Sequence, residues 1–240
     1  KEYKVRPAKG LLLFGPPGTG KTLIVKAASH ELKATFISIS PSDMSRHGYE
    51  GGVRLIKDTF NRARENAPSV VFIDELESIA PSREAYASKI TEEIVSELLQ
   101  QMDGLKDLKN VMLVGATNKP SLIDKALLRP GRLDKIIFVG PPNKEGRAKL
   151  FKHNLDGIKG IDKIEYDKIA DETEGFTGAD ISSICQEVKL KLVRAKIAGE
   201  PEPEVTTQTI LDVAENRTRS VTVQMLKEYL SFVKEYGERR

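Results

Sequence analysis

The sequence predicts an α/β fold, a five-stranded parallel sheet covered by helices and followed by a small helical domain. Three observations predict it. From residue 11 to about residue 140, short apolar runs alternate with stretches of helical period, the pattern of a parallel sheet buried on both faces. A glycine-rich segment ending in Lys21-Thr22 joins the first apolar run to the first helical stretch. After Pro141-Pro142 the strand signals stop and helical periodicity takes over. The expected division is therefore residues 1–141 for the α/β part and 142–240 for the helical part.

Taken in order, the expected strands are Leu11–Phe14, Phe36–Ile39, Val70–Asp74, Val111–Ala116 and Ile136–Val139, each bounded by Gly, Pro or Asp. Between the third and fourth, Ile90, Ile94, Leu98, Leu99 and Met102 recur at helical spacing and predict a buried stripe used for packing. In the second part, long helices are expected near Gly178–Ala198 and Thr222–Tyr236. Ile181, Ile184, Cys185, Val188 and Leu192 share one face of the first, which makes the cysteine a small core residue. Gly199 to Pro203, with its two prolines, ends that helix and opens a polar surface excursion before the last one.

Composition bounds the function. With 39% hydrophobic and 30% charged residues, the chain has enough apolar material for a core and is not a disordered composition. The net charge of +3 is spread along the chain, so no basic stripe points to nucleic acid or a membrane surface. Its apolar runs are far shorter than the ~20 residues that cross a bilayer. The single cysteine permits no internal disulfide and no thiol framework for zinc, so a reducing, cytoplasmic setting is expected. A start at Lys1, without a signal-peptide pattern, reads as a fragment of something longer.

The chemistry is concentrated at the expected strand ends. Gly15-Pro16-Pro17-Gly18-Thr19-Gly20-Lys21-Thr22 fits G-x-x-x-x-G-K-[ST] between a strand and a helix that starts near Leu23. Its glycines let backbone N–H groups turn inward on phosphates, while Lys21 neutralises their charge and Thr22 offers a hydroxyl to Mg²⁺. Pro17, Gly18, Thr19, Gly20, Lys21, Thr22 and Leu23 are thus the candidate nucleotide contacts. Val70-Val71-Phe72-Ile73-Asp74-Glu75 is an apolar strand ending in two carboxylates, delivered to the sheet edge where α/β proteins bind ligands. Asp74 suits hydrated Mg²⁺, and Glu75 suits the attacking water of a phosphoryl transfer. Asn118 ends the next strand and places a neutral polar group where γ-phosphate and water would meet. Arg129 and Arg132, three apart around Pro130-Gly131, suit the charge that develops on that phosphate, unless they are two solvated surface arginines.

This combination resembles the AAA family within the AAA+ ATPases, over nearly the whole chain from Arg6-Pro7-Ala8-Lys9-Gly10 onward. The specific stretch is Thr117 to Asp134, which is similar to the family's second region of homology. The resemblance implies an αβα sandwich followed by a helical lid, with bound ATP or ADP and Mg²⁺. It also implies that Asn118 is the first sensor and that Arg129 and Arg132 reach a neighbouring subunit's nucleotide in a homo-hexamer. Gln101-Met102-Asp103-Gly104-Leu105 is similar to the inter-subunit signalling segment, and Gly178 and Ala179 fall where adenine and ribose are held. The resemblance favours the valosin-containing and proteasome-activating types, which implies ATP-driven unfolding or remodelling of protein substrates, with adaptors as partners and no membrane.

Departures from the family pattern keep alternatives open. Only about ten residues precede the phosphate loop, which weakens the expected contacts to the base. The loop after the second strand reads Arg46-His47-Gly48-Tyr49-Glu50-Gly51, so Tyr49 is either a shifted substrate gripper or an ordinary exposed tyrosine. His153 is either an adenine-side contact, one position out of step, or a partly exposed helix histidine. Glu93 stands where relatives often carry arginine. A nucleotide-switched scaffold and a nucleic-acid motor remain the rival functions, the second disfavoured by the weak charge.

Overall fold

The computed structural model describes residues 9–46, 48–85, 89–104, 110–201 and 203–237. Arg6, Pro7, Ala8, His47 and Leu105, singled out in the sequence, lie outside them, as does the side chain of Tyr49. The expected α/β class and its helical follow-on are both present.

Five parallel strands form one sheet in the order β2-β3-β4-β1-β5. They are β1 Gly10–Phe14, β2 Thr35–Ile39, β3 Ser69–Ile73, β4 Val111–Thr117 and β5 Lys135–Phe138. Interior strands read as unbroken apolar runs because helices cover both faces: every residue of β3 is buried, whereas at the edges β2 buries only Ile37 and Ile39 and the residues of β5 are exposed or half-buried. β3 stops one residue short of expectation. Asp74 still donates its N–H to the Ile39 carbonyl, but Glu75 then turns out of extended geometry.

The helices of this unit are α1 Lys21–Glu31, α2 Pro41–Arg46, α3 Gly48–Glu65, α4 Leu76–Ile79 and α5 Lys89–Gly104. The segment Arg46 to Gly51, read from sequence as a loop, is helical on both sides of residue 47. On α5 the buried stripe runs through Val95, Leu98 and Met102, with Ile90, Ile94 and Leu99 only half-buried beside it. Glu97 is buried on the same helix, where Lys57 approaches to 3.4 Å and the Gln101 side-chain amide donates at 2.7 Å.

The second unit contains α6 Lys144–Asn154, α7 Tyr166–Glu172, α8 Gly178–Ala198 and α9 Thr207–Glu215. Helix α8 has the bounds read from sequence; Gly199 closes it at φ 71°, a left-handed cap that glycine adopts without strain. Helix α9 was not expected. It rises from the polar excursion, opened by a reciprocal Thr206–Thr209 cap, and it buries Ile210, Leu211, Val213 and Ala214. These join Phe151, Leu155, Ile169, Ile181, Ile184 and Val188 in one core. Cys185 lies inside it, its thiol pushed up to about 12 by burial, a packing residue as the sequence predicts.

A last helix, α10, spans Val223–Tyr236. Contacts group residues 1–15, 21–139 and 228–240 into the first unit, and 16–20 and 140–227 into the second. The glycine-rich loop, residues 16–20, groups with the second unit, and the end of α10 groups with the first. The latter belongs with the sheet because Tyr229 and Phe232 stack on Phe14, with centroids at 6.2 and 5.0 Å.

Candidate active site

The glycine-rich loop follows β1 directly. Gly18 and Gly20 have φ of 74° and 89°, the left-handed geometry that turns the chain tightly here. A Cβ at Gly18 would lie 2.7 Å from the Ala179 Cβ and 2.8 Å from Thr177 Oγ1, so the position has no room for a side chain. Thr19 Oγ1 donates to the Pro16 carbonyl at 3.0 Å and braces the turn. Within the same unit, the Ala179 N–H donates to the Gly18 carbonyl at 3.1 Å. Gly178 and Ala179 thus open α8 against the loop, under a reciprocal cap between Thr177 and Asp180. The sequence placed these two residues at a nucleotide; the structure brings them to the phosphate loop.

Lys21 starts α1 with its amine buried and donating to the Gly15 carbonyl at 2.9 Å. Burial lowers its pKa to about 8, against the opposing pull of the Asp74 and Glu77 carboxylates. Thr22 Oγ1 donates to Asp74 Oδ2 at 2.9 Å, joining the first turn of α1 to the residue just past β3. A hydroxyl and a carboxylate oxygen in mutual contact fit a hard cation that takes oxygen ligands and fills its remaining positions with phosphate and water. Leu23 is exposed immediately beyond, with its apolar side chain uncovered.

Glu75 has φ 46° and ψ 51°, a left-handed conformation that costs a non-glycine residue about 1–2 kcal/mol. Its N–H donates to Asp74 Oδ1 at 3.0 Å and its side chain is exposed. The turn points the second carboxylate away from the strand line that carries the first. Two residues on, Glu77 accepts the Asn118 N–H on Oε1 at 3.3 Å. Sequence reasoning passed over Glu77; the only signal was a third acid in Asp74-Glu75-Leu76-Glu77. Asn118 lies just past β4, so the paired acids after β3 and this asparagine come together at the carboxyl ends of neighbouring strands.

The two arginines part company. Arg129 is exposed. Arg132 is tied within its own chain: Nε and Nη2 donate to the Asp103 carboxylate at 3.1 and 2.8 Å, and Nη1 donates to the Ala126 carbonyl at 2.8 Å. Asp103 on α5 thus offers Arg132 a bidentate partner in cis. His153 is exposed in the last turn of α6, as the helix-histidine alternative expects. On the same helix Arg147 is buried, donating to the Ala170 and Pro142 carbonyls.

Known proteins resemble this chain in sequence and in fold. The family model "ATPase family associated with various cellular activities (AAA)" matches residues 11–141, and that of the AAA+ lid domain matches residues 163–204. The cell division cycle protein 48 homolog of Archaeoglobus fulgidus is 39% identical over 231 residues, which are 96% of this chain and 31% of that protein. A proteasome-activating nucleotidase of Sulfurisphaera tokodaii is 43% identical over 197 residues, 81% of this chain and 50% of that protein. The crystal structure of the FIGL-1 AAA domain matches with a TM-score of 0.85 and 32% identity, covering 97% of this chain and 78% of that one. The chain spans between about a third and a half of the length of these two relatives. From the loop at β1 to the helices of the lid, it belongs to the AAA ATPase family.

Proposed function

We propose that this chain is an ATP-hydrolysing module, Mg²⁺-dependent and working as a homo-hexameric ring that unfolds or remodels protein substrates in the cytoplasm. The observation that carries it is the meeting of Lys21, Thr22, Asp74, Glu75 and Asn118 at one edge of the sheet, with Thr22 and Asp74 in direct contact. Gly18, Thr19 and Gly20 offer backbone N–H groups to a triphosphate, and Pro17 and Leu23 flank it. Mg²⁺ held by Thr22 and Asp74 would supply charge neutralisation on the phosphate oxygens. Lys21 contributes a second cation. Glu75 takes the proton of a water held against the γ-phosphate, and its strained backbone supports that assignment, since such strain gathers at functional sites. Asn118 orients that water without adding charge.

Charge that develops on the γ-phosphate is stabilised by cations aimed at it. Arg129, exposed after β4, is the group that a neighbouring copy donates. Arg132 joins it only by exchanging the Asp103 carboxylate for phosphate. Adenine is held by Gly178 and Ala179, with His153 nearby. Protein remodelling is inferred from the names of the relatives, an archaeal cell division cycle protein and a proteasome-activating nucleotidase.

The test is Glu75→Gln. This variant is expected to bind ATP as wild type does and to lose phosphate release by at least about a hundredfold, the low end of what a positioned base contributes. Near-wild-type release would remove Glu75 from its role.

A further inference from the structure

Asn118 is gripped from two sides by groups distant in the chain. Its N–H donates to Glu77 Oε1 at 3.3 Å, across 41 residues, and its carbonyl accepts from the Tyr229 hydroxyl at 2.7 Å, across 111. All three belong to the sheet unit. Both bonds go to the backbone of a residue that has just left β4, where no neighbouring strand serves its main chain. The Tyr229 ring is fixed before its hydroxyl acts: it is buried against Phe14 and Phe138, with centroids at 6.2 and 5.7 Å. Glu77 is fixed likewise by α4, whose Leu76 and Ile79 are buried on either side.

The side chains tell the other half. Among the described residues, the buried oxygens Asn118 Oδ1 and Glu77 Oε2 have no hydrogen-bond donor. Such acceptors are costly and sparse in folded proteins, and a backbone held at both ends keeps this carboxamide from turning away to find relief. Its oxygen is thereby reserved for a donor on the substrate side.

We propose that Glu77 and Tyr229 are positioning residues which clamp the Asn118 main chain and so set the direction of its carboxamide toward the reacting phosphate. Burial raises the Tyr229 phenol above its usual value, with Glu228 and then Glu77 adding to the effect, so the hydroxyl stays a donor throughout the working pH range. The clamp rests on the ATPase reading for its kinetic consequence, but not for its structural one.

Tyr229→Phe removes one hydroxyl and keeps the ring packing. It is expected to lower kcat about fivefold to tenfold, the worth of one positioning hydrogen bond, while ATP affinity and the melting temperature stay near wild type. Glu77→Ala should act in the same direction, and Glu77→Gln, which restores an acceptor, should recover much of the loss. Tyr236→Phe, a hydroxyl removed from the same aromatic row, should leave kcat unchanged. Independently of turnover, the backbone amide of Asn118 should show rigid relaxation, with an order parameter of about 0.85, and fall toward about 0.6 in Tyr229→Phe. Wild-type kcat in both Tyr229→Phe and Glu77→Ala, or an equally rigid Asn118 amide in Tyr229→Phe, overturns the clamp. A wild-type protein that never hydrolyses ATP sinks the ATPase reading alone, and the relaxation measurement still decides the clamp.

Discussion

Lys21 sets stability against function. Its amine is held at about 8 by burial, well below the 10.5 of a free lysine, so at neutral pH the folded protein carries a charge it would prefer to lose. The folded-state value lies below the unfolded one, so between pH 8 and 10.5 the unfolded chain binds more protons, and this group makes stability rise with pH across that window. Lys21→Met is expected to be more stable than wild type below pH 8, by an advantage that shrinks toward pH 10.5, while losing nucleotide affinity. Denaturant titrations of the free protein across that range check the first part. In wild type, nucleotide affinity should weaken by up to about tenfold per pH unit above the amine's own pKa, because only the ammonium answers a phosphate. A flat affinity profile would show that Lys21 does not meet the triphosphate. The sequence showed this residue plainly, since a lysine after glycines between strand and helix has few other uses. It concealed Glu77 and Tyr229, whose bonds to Asn118 depend on tertiary meetings across 41 and 111 residues. The left-handed Glu75 was equally invisible, because nothing in Asp-Glu-Leu requires a positive φ.

Helix α8 shows which elements a sequence displays. Thr177-Gly178-Ala179-Asp180 is a reciprocal cap: the Thr177 N–H donates to Asp180 Oδ2 at 2.8 Å, and the Asp180 N–H donates to Thr177 Oγ1 at 3.3 Å. With Gly199 at the far end, both boundaries are written in local chemistry. Thr177 is buried, so Thr177→Ala should cost about 1–2 kcal/mol, read as a lower denaturant midpoint, with Thr177→Ser recovering most of it. An unchanged midpoint for the alanine variant would show that the cap contributes nothing. Helix α9 illustrates the opposite case. It has 9 residues, follows two prolines and opens on threonines, so local propensity argued for a loop until the core of the second unit supplied a surface for Ile210 and Leu211. The stripe on α5 was displaced for a related reason, because the buried Glu97 finds Lys57 and Gln101 only in the folded chain.

For the molecule as a whole, the fold was legible because its sheet is parallel and its interior strands are apolar runs, ended by glycine and proline after β1 and by polar residues after β3 and at the end of β4. The candidate site was legible in the same places. What one chain could not display is how its cations are shared. Arg132 is retained by Asp103, and Arg129 is exposed with no phosphate of its own chain assigned to it. Under the proposed function, hydrolysis is a property of assembled copies, each completing its neighbour's site. Specific ATPase activity measured against protein concentration, with mass followed by sedimentation in the same samples, tests this most directly. Activity per chain should be near background in dilute monomer and climb together with the assembled fraction; full activity that stays constant from monomer upward would contradict it.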